Sequence, residues 1–236
     1  MIIEYFDNYN NMSAVAANMI HAALLSKTDL LLCAATGSSP LGAYQKLVEK
    51  HQNDSSAFDS FRMIKLDEWG GIPLDHPQSC HTYLKENLLA PLNISVSRFI
   101  SFDSRPDDLA VACKKVSAYL ESEGPIDLCV LGLGLNGHIA FNEPAPFLQA
   151  KCHATALTAT SMQHSMASEM EEKPTSGITL GMAEILQAKK IILLISGAGK
   201  QQIIQEFLSA KITTSLPASF LWLHPAVTCL IDRTSI

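Results

Sequence analysis

The sequence predicts an α/β fold built on a mostly parallel sheet with helices on both faces. Two observations lead there. Short apolar runs of strand length alternate with longer stretches of helical periodicity along nearly the whole chain, the alternation that a parallel sheet with crossover helices produces. The runs also lack a polar alternate face, as strands buried on both sides should. The clearest is Ile126 to Leu131, which breaks at Gly132, Gly134 and Gly137 and then delivers Asn136, His138 and Glu143 in quick order. Open α/β sheets bind ligands at the carboxyl ends of their strands, so this strand end is the first candidate for a site. A glycine-rich turn carrying a surface histidine is the plain alternative. It accounts less well for polar groups set inside the apolar run from Gly137 to Glu143.

In order, Met1 to Phe6 reads as a short edge strand, and the alanine-rich Asn11 to Leu25 as a helix. Asp29 to Ala35 is a buried strand, Leu41 to Lys50 a helix, Phe61 to Leu66 a strand and Ser79 to Leu89 a helix. Arg98 to Phe102 is a short strand, and Pro106 to Glu121 a helix leading into Ile126 to Leu131. Lys190 to Ile195 forms a strand and Gly199 to Leu208 a helix, while Ser219 to Leu223 and Val227 to Ile231 complete the sheet. The exception is Lys151 to Thr175, polar, methionine-rich and weakly periodic, which is expected to form a mobile helical lid. No repeat, low-complexity tract or linker interrupts the chain, so residues 1–236 are expected to be one domain.

Composition excludes several classes. A chain of 236 residues that is 47% hydrophobic and 17% charged can bury one large core and is not a disordered chain. Seventeen Lys and Arg against 23 Asp and Glu give a net charge of −6, which argues against a nucleic-acid partner. An anionic substrate would need a local cationic pocket. The six cysteines are scattered without a Cys-x-x-Cys; Cys33, Cys129 and Cys229 lie in apolar runs and read as buried thiols of a reducing, cytoplasmic compartment. The start, Met1-Ile-Ile-Glu-Tyr-Phe-Asp7, lacks the basic opening of a signal peptide. No apolar run reaches the roughly 18 residues needed to cross a membrane.

Three further strand ends carry polar residues. After Asp29 to Ala35 comes Thr36-Gly37-Ser38-Ser39-Pro40, with Pro40 suited to the first position of a helix. Free amides at a helix start, together with its dipole, favour a bound anion such as phosphate; an ordinary capped helix start would look the same. The spacing matches neither a Walker loop nor a dinucleotide fingerprint. After Phe61 to Leu66 come Asp67 and Glu68, which would point opposite ways on a continuing strand, so only one can face a pocket. Asp67, first past the apolar run, is the candidate general base. After Lys190 to Ile195, Ser196-Gly197-Ala198-Gly199-Lys200 opens a helix, and a lysine in a first turn opposes the dipole unless it meets an anion. His81, His153, His164 and His224 show no metal-ligand spacing, and His224 reads as structural. No serine sits in a nucleophile-elbow pattern.

Four stretches resemble the glucosamine-6-phosphate deaminase and galactosamine-6-phosphate isomerase family, in the same order along nearly the whole chain. They are Leu66-Asp67-Glu68-Trp69, the run from Gly134 to Pro144, Gly197-Ala198-Gly199-Lys200 and the run from Pro217 to Pro225. The resemblance implies a three-layer α/β/α, modified Rossmann-like fold. It also implies aldose–ketose isomerisation of a 2-amino-2-deoxyhexose 6-phosphate, galacto or gluco, with loss of ammonia in the deaminases, and no cofactor or metal. By position, Asp67 matches the base moving a proton between C2 and C1, and His138 matches the acid–base that opens the sugar ring, with Glu143 orienting it. Gly37, Ser38, Ser39 and Lys200 match the phosphate cradle. A carboxylate suits the enolamine proton transfer, and a histidine suits ring opening in both directions.

The departures are as specific. Asn136 stands where well-known deaminases carry an aspartate, so proton relay would lean on His138 and Glu143. The family's phosphate-binding arginine, in Asn-Ser-Arg-Phe-Phe, is replaced by the run Met162 to Ser168, leaving His164 or a serine to substitute. The Ser, Arg and Lys that allosteric deaminases use for an effector have no counterpart after Glu143-Pro144-Ala145. The partner expected is a small sugar phosphate, and a homo-oligomer is compatible with the sequence. Two rival classes share the fold: a 6-phosphogluconolactonase, and a non-catalytic sugar-phosphate sensor. Asp67-Glu68-Trp69 and Phe141-Asn142-Glu143-Pro144 argue against the first. The second would usually carry an attached DNA-binding region, for which the one expected domain leaves no residues, and the intact Asp67, His138 and Glu143 also favour an enzyme.

Overall fold

A computed structural model describes residues 1–163 and 165–236. In chain order its strands are β1 (Ile2–Phe6), β2 (Leu31–Ala34), β3 (Arg62–Lys65), β4 (Asp67–Gly70), β5 (Phe99–Ile100), β6 (Leu128–Gly132), β7 (His153–Thr155), β8 (Ser176–Thr179), β9 (Lys190–Ile195) and β10 (Val227–Asp232). The helices are α1 (Tyr9–Ser26), α2 (Ser38–Asn53), α3 (Cys80–Leu84, extended by a π turn over Lys85–Leu89), α4 (Leu109–Glu123), α5 (Ala159–Met162), α6 (Ser165–Ser168), α7 (Met182–Leu186) and α8 (Gln201–Leu208). None is long and apolar enough to cross a membrane among the described residues.

Among the described residues, seven strands pair in parallel in the order β1-β10-β9-β6-β2-β3-β5. The chain runs outward from β2 through β3 to β5, returns to β6 on the other side of β2, and runs outward again through β9 to β10. That reversal between β2 and β6 opens a crevice above their carboxyl ends.

The apolar runs have no polar alternate because both faces of the sheet are covered. Cys33, Cys129, Leu193 and Cys229 enter a core closed by Val116 of α4, Ile185 of α7 and Phe207 of α8. Leu32, Val130, Leu194 and Leu230 enter the opposite core, closed by Ile20 of α1, Tyr44 of α2 and Leu84 of α3. In α1, Met12, Ala16, Ile20 and Leu24 recur every four residues on the buried face, and the Asn8 side chain caps the first turn by accepting from the Asn11 amide. Full burial of Ile20 or Leu24 contributes about 1.5–3 kcal/mol each. The three-layer architecture is the expected one.

Three local expectations need correction. Ser219 to Leu223 is not a strand but part of a 3-10 helix, Pro217–Leu223. β10 is already paired on both sides, with β9 and β1, so the sheet has no edge there, and the run packs Ala218 and Leu221 into the core instead. Helix α2 begins at Ser38, which puts Pro40 third in the first turn, where a missing N–H still costs no intrahelical bond. The segment Lys151 to Thr175 is not wholly helical: His153–Thr155 is a strand pairing with β8, and β8 pairs in turn with β4, forming a small antiparallel sheet at the carboxyl end of the large one.

Candidate active site

All four polar strand ends meet around one cavity of about 380 Å³. Gly37, Ser38 and Ser39 line it from the β2 end, Asp67 from the β3 end, His138 from the loop after β6, and Ser196 and Lys200 from the loop after β9. Trp69, Phe141 and residues 160, 161 and 163 close the remaining side.

The sharp turn out of β2 is made by Gly37, with φ 98°. It hands the chain to α2, whose first residues, Ser38 and Ser39, have amides without an intrahelical partner and line the cavity. Gly197 (φ 100°) and Gly199 (φ 79°) do the same ahead of α8, and nothing lies within 4 Å of where a Cβ on Gly197 would sit. Ser196 Oγ donates to Ser39 Oγ at 3.0 Å and ties the two loops together. Burial of Lys200 lowers its pKa to about 8, and its ammonium has no hydrogen bond or ion pair among the described residues. An ammonium without such a partner at the start of α8, lining the same cavity as the start of α2, has the chemistry to hold an anion.

Asp67 and Glu68 divide the two faces of β4. Glu68 is fully buried and fully engaged: it pairs with the equally buried Lys65 at 2.6 Å and accepts from the amides of Trp69, Cys80 and His81. It clamps the start of α3 to the sheet. Asp67 faces the cavity with Oδ1 buried and without a hydrogen-bond partner. Burial first, then repulsion from Glu68, raises its pKa to about 7. A carboxylate held near neutrality in a cavity is suited to taking and returning a proton.

The loop after β6 builds a relay. The Asn136 Nδ2 group donates to Glu143 Oε2 at 2.9 Å, leaving its Oδ1 2.7 Å from His138 Nδ1. An amide oxygen only accepts, so Nδ1 carries the hydrogen in the neutral ring and Nε2 is the free base. Glu143 Oε2 also lies 3.6 Å from Nδ1, close enough to stabilise an imidazolium. Burial would raise Glu143, but the nearby His138 and the hydrogen bonds from Ser161 and Asn136 outweigh it and hold the pKa at about 2. Gly134 is required beneath the ring, because a Cβ there would lie 2.4 Å from His138 Nε2. Asn136 and Glu143 stand behind His138 rather than in the cavity wall.

The sequence reading missed the hydroxyl of Ser161, which donates to Glu143 Oε1. Its one visible signal was the hydroxyl-rich run Thr158-Ala-Thr-Ser161. His164, named as a substitute for the family's arginine, lies outside the described residues. His224 is buried and structural: it bonds Ala188 O through Nε2 and accepts from the Ala226 amide at Nδ1. No cluster of three or more His, Cys, Asp or Glu among the described residues could hold a metal ion.

Residues 7–229 match the family model for glucosamine-6-phosphate isomerases and 6-phosphogluconolactonases. The chain belongs to that family. An Escherichia coli (strain K12) protein, AgaI, whose own assignment as a deaminase is provisional, is 40% identical over 98% of this chain and 91% of its own length. The glucosamine-6-phosphate deaminase of Thermoanaerobacter pseudethanolicus is 38% identical over 96% of this chain and 90% of its own length. Among solved family structures, a monomeric glucosamine-6-phosphate deaminase aligns with a TM-score of 0.94 and 33% identity, covering 99% of this chain and 98% of that one. The 6-phosphogluconolactonase of Trypanosoma brucei shares the fold at a TM-score of 0.79 and 22% identity over 98% and 96% of the two chains.

Proposed function

We propose that this family member isomerises a 2-amino-2-deoxyhexose 6-phosphate, of galacto or gluco configuration, and releases ammonia to leave a ketohexose 6-phosphate. The observation that carries the reading is the near-neutral carboxylate of Asp67, its buried Oδ1 without a hydrogen-bond partner, facing the same cavity as the imidazole of His138. The relatives named as deaminases support it, and the resemblance of the four strand-end stretches assigns the same roles.

Gly37, Ser38, Ser39 and Lys200 would hold the 6-phosphate through helix-start amides, hydroxyls and one ammonium. His138 would take the proton of the anomeric hydroxyl and deliver one to the ring oxygen as the C1–O5 bond breaks, leaving the open-chain aldehyde. Glu143 and Asn136 keep that ring in one tautomer and stabilise its protonated form. Asp67 would then remove the C2 proton, giving the enolate form of an enolamine, and return that proton to C1, while one proton passes from the nitrogen to O1 to leave a C2 imine. Addition of one water to the resulting C2 imine expels ammonia. Lactone hydrolysis, the reaction named for the more distant structural relatives, needs no carbon base and would give Asp67 nothing to do.

The test is a panel of galactosamine 6-phosphate, glucosamine 6-phosphate and the unphosphorylated amino sugars, with 6-phosphogluconolactone as a separate arm, read by ammonia, ketose and acid release. In heavy water the enzyme should exchange the C2 proton of its substrate, and Asp67→Asn should not. Turnover of the lactone alone, or wild-type C2 exchange by Asp67→Asn, would overturn the assignment.

A further inference from the structure

Glu143 has two carboxylate oxygens with different partners. Oε2 accepts from Asn136 and lies beside His138 Nδ1. Oε1 accepts from Ser161, which belongs to α5, in a segment that shares no secondary-structure element with the loop after β6. Ser161 is itself 2% exposed. It is fixed by Thr158, the N-cap of α5, whose Oγ1 accepts from the Ser161 amide at 3.2 Å and donates towards Ser161 Oγ at 3.4 Å. The same Thr158 oxygen lies 3.5 Å from Asn136 Nδ2. The two hydroxyls of one helical turn thus contact both groups that stand behind His138, while Ser161 also lines the cavity.

We propose that Ser161 is a positioning residue for the ring-opening acid–base. It holds Glu143 in the orientation that turns Oε2 towards Asn136 and His138, so the relay is complete only when α5 is seated against the loop after β6. The geometry accounts for a hydroxyl rather than a carboxamide or a cation at this position. Glu143 is ionised, its Oε1 accepts from Ser161 alone among the described residues, and a small side chain reaches that oxygen without entering the space beside His138. Without the donor, the carboxylate is free to rotate about its last bond, and Asn136 loses the fixed acceptor that orders its amide.

This proposal rests on the functional reading above, and its tests separate the two. Ser161→Thr keeps the hydroxyl, and Ser161→Val has the same bulk as that variant without it, so the pair removes size and folding from the comparison. With a hexosamine 6-phosphate, Ser161→Ala and Ser161→Val should lose about 10–100-fold in kcat with KM within about twofold, as expected for a lost hydrogen bond to a charged group. Ser161→Thr should stay within about threefold of wild type. Independently of turnover, the imidazole nitrogens of His138, read by two-bond proton–nitrogen NMR, should report the Nδ1–H tautomer in wild type and Ser161→Thr. In Ser161→Val they should shift towards averaging of the two tautomers. A wild-type kcat and unchanged His138 nitrogens in Ser161→Val would overturn the proposal, as would a rise in KM with kcat unchanged, which would make Ser161 a substrate ligand. Inactivity of the wild type on every hexosamine 6-phosphate would sink the functional reading, and the NMR comparison would still decide the role of Ser161.

Discussion

Replacing Asp67 by Asn should make the protein more stable while abolishing its activity, and the stability gain should depend on pH. Asp67 has an ordinary value of 3.8 raised to about 7 by burial and the neighbouring Glu68. Below about 3.8 the carboxyl is protonated in folded and unfolded chains alike, and no stability is lost. As the pH rises from there to 7, the unfolded chain ionises first and the folded state loses ground. Above 7 the loss is complete, at about 4 kcal/mol for a displacement of this size. The carboxamide of the Asp67→Asn variant cannot ionise, so the variant escapes that loss. Thermal unfolding of the two proteins should differ little near pH 4 and by about 10 °C in Tm near pH 8, in favour of the variant, for a chain of this length. The same substitution removes a positioned general base and should lower kcat by about 10²–10⁴-fold. A stability difference that does not change between the two pH values would refute the claim that Asp67 is held near neutrality by its surroundings.

Other substitutions and measurements have equally definite expected outcomes. Lys200→Ala should raise KM for the phosphorylated substrate by about 10–100-fold, the value of a charged hydrogen bond, and leave turnover of an unphosphorylated sugar unaffected. Because burial holds Lys200 at about 8, its cationic form is lost as pH rises through that value, so wild-type KM measured from pH 7 to 9 should climb across the same range. Gly134→Ala would push the His138 ring aside and should cost about 10²-fold in kcat, as a displacement of about 1 Å at a reacting group does; wild-type kcat would show that the ring is free to move. If, as the family resemblance implies, the effector residues of allosteric deaminases have no counterpart after Ala145, initial rates should follow a hyperbola that N-acetylglucosamine 6-phosphate does not alter; a sigmoidal curve made hyperbolic by that compound would contradict this. Hydrogen exchange on binding a substrate analogue should slow in Ala159–Met162, while His153–Thr155, already paired in a sheet, should change little; uniform behaviour across both would remove the distinction between a lid and its anchor.

The large sheet was legible because its strands are buried on both faces and write that burial as unbroken apolar runs. The strand ends were legible for the complementary reason: Asp67, His138 and Lys200 interrupt such runs where no core has room for a charge. The small sheet was not. Its strands, Asp67–Gly70, His153–Thr155 and Ser176–Thr179, have three or four residues each, carry polar side chains, and find partners more than 80 residues apart for β4 and β8. Period-two alternation cannot be read over so short a span. The 3-10 run Pro217–Leu223 misled in the opposite direction, since a short buried apolar stretch looks the same in either conformation until the neighbouring strands are known to be paired. Ser161 was hidden because its importance lies in a contact with Glu143, 18 residues away, that no local pattern records.

Leu66 is the single residue between the last position of β3 and the first of β4. The chain therefore leaves the large sheet at Lys65 and enters the small one at Asp67, while the glycine-serine loop and Lys200 stay with the large sheet. Asp67 lies opposite Thr179 in β8, whose hydroxyl accepts from the Phe141 amide, and Phe141 packs so closely over Gly177 that an added Cβ would lie 2.6 Å from the ring. A ligand in the cavity would be gripped by two separate frameworks, one fixing where its charged end rests and the other where its carbon chain meets the base. On the proposed roles, the spacing of anchor and base would depend on the seam at Leu66, and substitutions in β7 or β8 would change which sugars fit without altering the phosphate cradle or Asp67.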